Sequence, residues 1–151
     1  MHEFLITNGY SALFLLSFLA ATLIPLGSEW LLVALVIKGF APLTLVLVAS
    51  TGNILGACSS YYIGLVGSDF LTARLLRMST DDRVRAERYF ARYGSGCLLL
   101  SWLPVVGDPL CLVAGIMKVR VERFVLLVAI GKLARYAVVA WAALAGRHLL
   151  F

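Results

Sequence analysis

Four ionisable side chains stand inside or at the edge of long apolar runs: Glu29, Asp108, Lys132 and Arg135. Each acid follows a proline by four residues, in Pro25-Leu26-Gly27-Ser28-Glu29 and in Pro104-Val105-Val106-Gly107-Asp108. Lys132 and Arg135 are three apart, on one face of any helix that carries them, with Tyr136 beside them. An ionisable group within hydrocarbon is costly and normally faces a bundle interior, paired or wet. The chemistry such a set offers is proton carriage by the carboxylates and capture of an anion by Lys132, Arg135 and Tyr136. Structural roles compete with this. A carboxylate at a half-helix N-terminus caps free amides and suits the positive end of the helix dipole, a role compatible with proton carriage. A cation near a helix end snorkels to the headgroups, but Lys132 lies nine residues past Arg123, about 13 Å at helical rise, and Arg135 lies deeper still.

The background makes those charges conspicuous. Of 151 residues, 62% are hydrophobic and only 14% charged, and the mean hydropathy is +0.95, which indicates an all-α integral membrane protein. The net charge of +5 does not argue for nucleic acid, because the basic residues flank apolar spans, where they set orientation and meet anionic lipid. Cys58, Cys97 and Cys111 are odd in number and lie in apolar segments, so they read as small packing residues rather than a disulfide framework. No Cys or His cluster has metal spacing, no nucleophile motif stands in a credible context, and His2 and His148 lie near the ends. The expectation is a protein without enzymatic activity, metal or cofactor. Met1 to Asn8 has no Lys or Arg, so the following apolar run is expected to stay in the mature protein.

The elements that must position the charges are broken helices. Between Cys97 and Met117 the apolar run is interrupted by Pro104, Gly107 and Pro109, which remove backbone donors and loosen the chain. Asp108 as N-cap with Pro109 at the first helical position predicts a half-helix running to Met117. Ten helical residues cover about 15 Å, half of a hydrocarbon core of about 30 Å, which places the break near the midplane in a re-entrant hairpin. Tyr10 to Ile24, the break at Pro25, Gly27 and Ser28, and Trp30 to Ile37 form a second hairpin of this design. Full spans follow each, about Leu43 to Val66 and about Phe124 to Ala145. At a shift of 79 residues Pro25 falls on Pro104, Glu29 on Asp108, Gly52 on Gly131 and Gly67 on Gly146, which points to an internal duplication. A hairpin plus one crossing is an odd number of crossings, so the repeat is inverted. One membrane domain results: repeat 1 at about 10–67, a linker at about 68–95, and repeat 2 at about 96–146. Inverted repeats with discontinuous helices place transporter sites at the midplane.

Six arginines lie between Ser68 and Ser95, and Lys118, Arg120 and Arg123 add to that side, against Lys38 and Arg147 on the other. The linker is therefore expected in the cytoplasm and both termini outside. Within it, Ser79-Thr80-Asp81-Asp82 predicts a helix start and Gly94 its stop. That helix is either a solvated or headgroup-lying connector or a docking element. In the first full span Gly52, Gly56, Ser60 and Gly64 form a strip at four-residue spacing, suited to close packing against a hairpin or against a second protomer, the latter making a homo-oligomer. Asn53 beside it reads as an interhelical hydrogen-bonding residue.

Nearly the whole chain resembles the DedA family of bacterial membrane proteins, within the VTT or SNARE-associated superfamily, and its short members in particular. The resemblance rests on Pro25-Leu26-Gly27-Ser28-Glu29, Gly52-Asn53-Ile54-Leu55-Gly56, Phe90-Ala91-Arg92-Tyr93-Gly94, Leu100-Ser101-Trp102-Leu103-Pro104-Val105-Val106-Gly107-Asp108, Ala114-Gly115 and Gly131-Lys132-Leu133-Ala134-Arg135-Tyr136. It implies facing re-entrant hairpins, a bacterial inner-membrane location, a link to proton motive force and envelope integrity, and translocation of polyprenyl phosphate carriers or phospholipids. The partners implied are membrane lipids, lipid phosphates above all, and protons. The family's Arg-x-x-Pro-x-x-Arg pattern around the second hairpin is absent, with Ser101 and Gly107 at those positions. Lys132 and Arg135 are expected to supply the displaced charge from the neighbouring span. The competing class is a non-transporting membrane protein that supports assembly or the envelope, its polar midplane groups being satisfied structure.

Overall fold

The structure is a computed structural model that describes residues 2–22, 27–67, 80–103 and 106–150; of these, the side chains of 2–7, 80, 82, 83, 86 and 147–150 are not described. Pro25, Pro104 and the linker stretch 68–79, including Ser79, lie outside the described residues. Among the described residues the regular structure is wholly helical: α1 His2–Ala20, α2 Glu29–Ile37, α3 Pro42–Val66, α4 Thr80–Tyr93, a 3-10 segment Gly94–Trp102, α5 Gly107–Ile116 and α6 Val121–Leu150. Two helices are long and apolar enough to cross a membrane, Pro42–Val66 and Val121–Gly146. Both present large apolar side chains outward, among them Leu43, Leu55, Leu126, Ile130, Val138 and Trp141. An apolar surface of that extent is at home in lipid rather than water.

Local chemistry sets most boundaries. Pro42 opens α3 from the first turn, where its missing N–H costs nothing, and Ala41 before it is extended. α2 stops at Gly39 with φ +90°, where Gly39 N–H bonds to the Val36 carbonyl and Phe40 N–H to that of Leu35 at 3.1 Å, a Schellman ending. α5 stops the same way. Lys118 takes φ 53°, its N–H bonds to the Gly115 carbonyl, and Val119 N–H bonds to that of Ala114 at 3.0 Å. Gly39 and Lys118 are 79 residues apart, as are every other pair of matched groups in these two endings.

Three boundaries depart from expectation. α1 begins at His2, well before Tyr10, because nothing in the polar-tinged first turns breaks a helix. Gly94 to Trp102 is wound as a 3-10 segment; its nine residues at 2.0 Å rise span about 18 Å against about 13 Å as α-helix. α5 begins at Gly107 with Val106 in the cap position, so Asp108 sits inside the first turn rather than at the N-cap, and Pro109 follows as the third helical residue. Gly107 is required there, since a Cβ would fall on the Ser101 carbonyl oxygen.

α1 runs alongside α3 in the same direction. A Cβ on Gly52 would come within 2.5 Å of the Phe14 carbonyl oxygen, and one on Gly56 as near to that of Phe18. Ser60 donates to the Ala21 carbonyl at 3.2 Å. α2 turns back, so that Phe40 beyond its end meets Tyr10 edge-to-face at 5.4 Å. α3 and α6 cross with opposite sense: Leu45 and Ala140 share one apolar cluster, Tyr61 and Phe124 the other. Each long helix packs against the element that opens its own half of the chain, α1 on α3 and the 3-10 segment on α6. The half-helices beyond the breaks are exchanged: α2 packs on α6 and α5 on α3. Gly64 and Gly115 make the second contact close, each placed where a Cβ would collide with backbone of the other helix. The three cysteines are free thiols in or beside one of the apolar clusters.

Candidate functional site

Asn53 and Lys132 each stand eleven residues into a long helix, about 16 Å from its start. That level separates the two apolar clusters, one around Leu13, Leu32, Leu45 and Tyr136, the other around Tyr61, Leu98, Leu110 and Phe124. The half-helices α2 and α5 both begin there, and they carry Glu29 and Asp108 in their first turns. The polar residues singled out in the sequence thus converge between two greasy blocks, delivered by four different elements.

Lys132 is the centre. It is only 1% exposed, its Nζ donates to Asn53 Oδ1, and it reaches Asp108 Oδ1 at 3.3 Å. Arg135, one turn on, pairs through Nη2 with Glu29 Oε1. Neither cation snorkels. The acids are more open, with side chains 31% exposed for Asp108 and 24% for Glu29, so the cluster is approached from the carboxylate side. Two acids against two bases leave the four groups neutral in sum, as a low-dielectric setting requires.

A hydrogen-bonded chain joins the two pairs. Asn53 Nδ2 donates to the Tyr136 hydroxyl and to the Ser17 carbonyl, both at 3.1 Å. The Tyr136 hydroxyl shares a 2.6 Å hydrogen bond with Ser28 Oγ. Ser28 occupies the cap position of α2 yet makes no side-chain cap bond, because its hydroxyl is spent on Tyr136. It lies next to Glu29, so the chain of contacts runs from Asp108 through Lys132, Asn53, Tyr136 and Ser28 to the residue beside the second acid. Two other buried hydroxyls near this level, Ser17 Oγ and Ser50 Oγ, and a third at Ser101 Oγ have no hydrogen-bond partner among the described residues.

The structure therefore brings Glu29, Asp108, Lys132, Arg135 and Tyr136 into one cluster. Gly52, Gly56 and Gly64 lie instead at helix contacts, Gly52 and Gly56 against α1 and Gly64 against α5, and Ser60 bonds to the α1 end. Of the break residues, Ser28 joins the cluster, Gly27 borders it beside the Glu29 carboxylate, and Gly107 and Pro109 shape the start of α5. Sequence reasoning set Asn53 beside the packing strip rather than at the heart of the cluster. A signal was present: Asn53 is the residue that the 79-residue shift lays on Lys132. Ser17, whose carbonyl anchors the Asn53 amide, left no mark in an apolar run. No group of three or more His, Cys, Asp or Glu among the described residues is placed to hold a metal ion.

Residues 24–143 match the family model of the VTT domain. The chain is 40% identical over 136 residues to the inner membrane protein YqaA of Escherichia coli K12, covering 89% of this chain and 91% of that protein, and equally to YqaA of Shigella flexneri. An uncharacterized protein of Haemophilus influenzae is 34% identical over 142 residues, with 89% and 87% covered. No solved structure matches.

Proposed function

The chain belongs to the VTT-domain family, the DedA group of bacterial membrane proteins, and from that premise we propose that it carries anionic lipids, polyprenyl phosphate or phospholipid, across the inner membrane in step with protons. The observation that carries this reading is the pairing of Lys132 with Asp108 and of Arg135 with Glu29 at the mid-level of both long helices. A neutral, closed pair has no free charge to offer. Protonating a carboxylate releases its cation, and a lipid phosphate takes the vacated place while its tail stays in the bilayer. The proton and the anion then travel as a neutral sum, which keeps the desolvation cost of crossing low.

Two re-entrant hairpins in an inverted repeat belong to this reading. It is supported by the 79-residue offset of Glu29 and Asp108, by the matched Schellman endings at Gly39 and Lys118, and by the exchange of α2 and α5 between the long helices. Such an arrangement supports two mirror-related openings around one site. The linker lies in the cytoplasm and both termini outside, since the basic residues gather at the end where α3 leaves and α6 enters. In place of the family's arginines, Ser101 Oγ faces Gly131, where a Cβ would sit 3.0 Å away. Lys132, whose ammonium reaches Asp108 at 3.3 Å, takes over the displaced positive charge together with Arg135.

Purified protein in liposomes tests the proposal, with labelled polyprenyl phosphate or phospholipid and an imposed pH gradient. Flux should follow the gradient. Glu29→Gln should weaken the dependence on the pH gradient more than it weakens lipid binding, and Arg135→Gln should weaken binding itself. The charge-closed network also favours a second reading, a non-transporting protein whose cluster only fixes helix positions. In that case no lipid flux appears and Asp108→Asn is tolerated.

A further inference from the structure

We propose that α4 is an interfacial helix whose arginines bind the anionic phospholipid headgroups of the leaflet at its end of the bundle. Phe90 is buried in the apolar cluster with Cys97, Leu110 and Phe124, which pins the helix against the bundle. Arg85, Arg88 and Arg92 recur three and four residues apart on the face turned away from Phe90, all exposed. Tyr89 and Tyr93 flank them, 40% and 55% exposed, with their rings stacked at 6.4 Å and the Arg92 guanidinium 5.6 Å from the Tyr93 centroid. Tyrosines beside guanidinium groups match the chemistry of the headgroup layer, where rings sit among glycerol and phosphate.

The position of α4 along the bundle selects lipid over other acidic partners. Phe90 shares its cluster with Tyr61 and Phe124, within a turn or two of the α3 end at Val66 and the α6 start at Val121. The helix therefore lies level with the ends of the two spans. Exposed Lys118, Arg120 and Arg123 stand at the same end, and Arg120 is drawn to Glu122 at 3.5 Å. Among the described side chains of this rim the basic residues Arg85, Arg88, Arg92, Lys118, Arg120 and Arg123 outnumber the acidic Asp81, Glu87 and Glu122, and each arginine near an anionic surface adds to the attraction. This inference does not depend on the protein moving any lipid.

The test uses the full-length protein in nanodiscs of phosphatidylcholine, and in discs that also contain phosphatidylglycerol, with backbone amide exchange followed over residues 80–93 and α3 as internal reference. Phosphatidylglycerol should slow exchange of α4 about fivefold, high salt should reverse the effect, and R85Q/R88Q/R92Q should abolish it, with R88Q alone intermediate. Equal exchange in both discs overturns the proposal and leaves the surface to an acidic protein. Persistence of the slowing in the triple variant also overturns it. So does slowing by inorganic phosphate in phosphatidylcholine discs, which assigns a soluble-anion site.

Discussion

Lys132 is buried with a carboxylate on one side and an amide oxygen on the other, so its partners are worth most when one is removed. Lys132→Met leaves Asp108 facing an apolar tip and should lower stability by about 3 kcal/mol, measured by denaturant unfolding in micelles, and adding Asp108→Asn should recover part of that loss. The four charges were legible because hydrocarbon makes any ion informative. Asn53 and Ser28 were less so, since their roles depend on which hydroxyl and amide meet across helices. Asparagine inside a glycine-rich helix has the same sequence signature whether it packs or organises a polar centre. Only position fixes the difference, and position came from the crossing of α3 and α6.

At the level of elements, the two long helices and the half-helices beyond the breaks lie close to where hydropathy and proline placed them. The 3-10 winding of Gly94–Trp102 had no counterpart in the pattern, because a uniformly apolar stretch carries no period that distinguishes 3.0 from 3.6 residues per turn. The start of α5 lies two residues earlier than the cap signal placed it, at Gly107, because the Asp108 carboxylate is used on Lys132 rather than on a cap. Backbone contacts give the sharpest expectations here. Gly115→Ala drives a Cβ into the Tyr61 carbonyl region and should destabilise by about 2 kcal/mol, while Gly146→Ala, with open space around it, should be neutral or slightly stabilising. Lys118 holds a left-handed conformation at φ 53°, so Lys118→Gly should raise stability by about 1 kcal/mol in the same unfolding assay.

For the molecule as a whole, class and family were legible from hydropathy and motif residues, and the convergence of acids and bases followed from the two breaks. The exchange of partners was not legible, because the hydropathy pattern is equally compatible with each half of the chain folding upon itself. In the structure, α2 lies more on α6 than on α3, and α5 lies on α3, so each half's returning helix finds its main long partner in the other half. A chain cut between α3 and α4 should therefore yield two pieces that are each degraded when made singly. Made together in one cell, they should protect one another and co-purify as a stoichiometric complex. Had each half been self-sufficient, either fragment would accumulate by itself. The interlocking of α2 and α5 with the opposite long helices makes joint assembly a condition of survival, and it means that a sequence change in one half is felt first as a packing defect in the other.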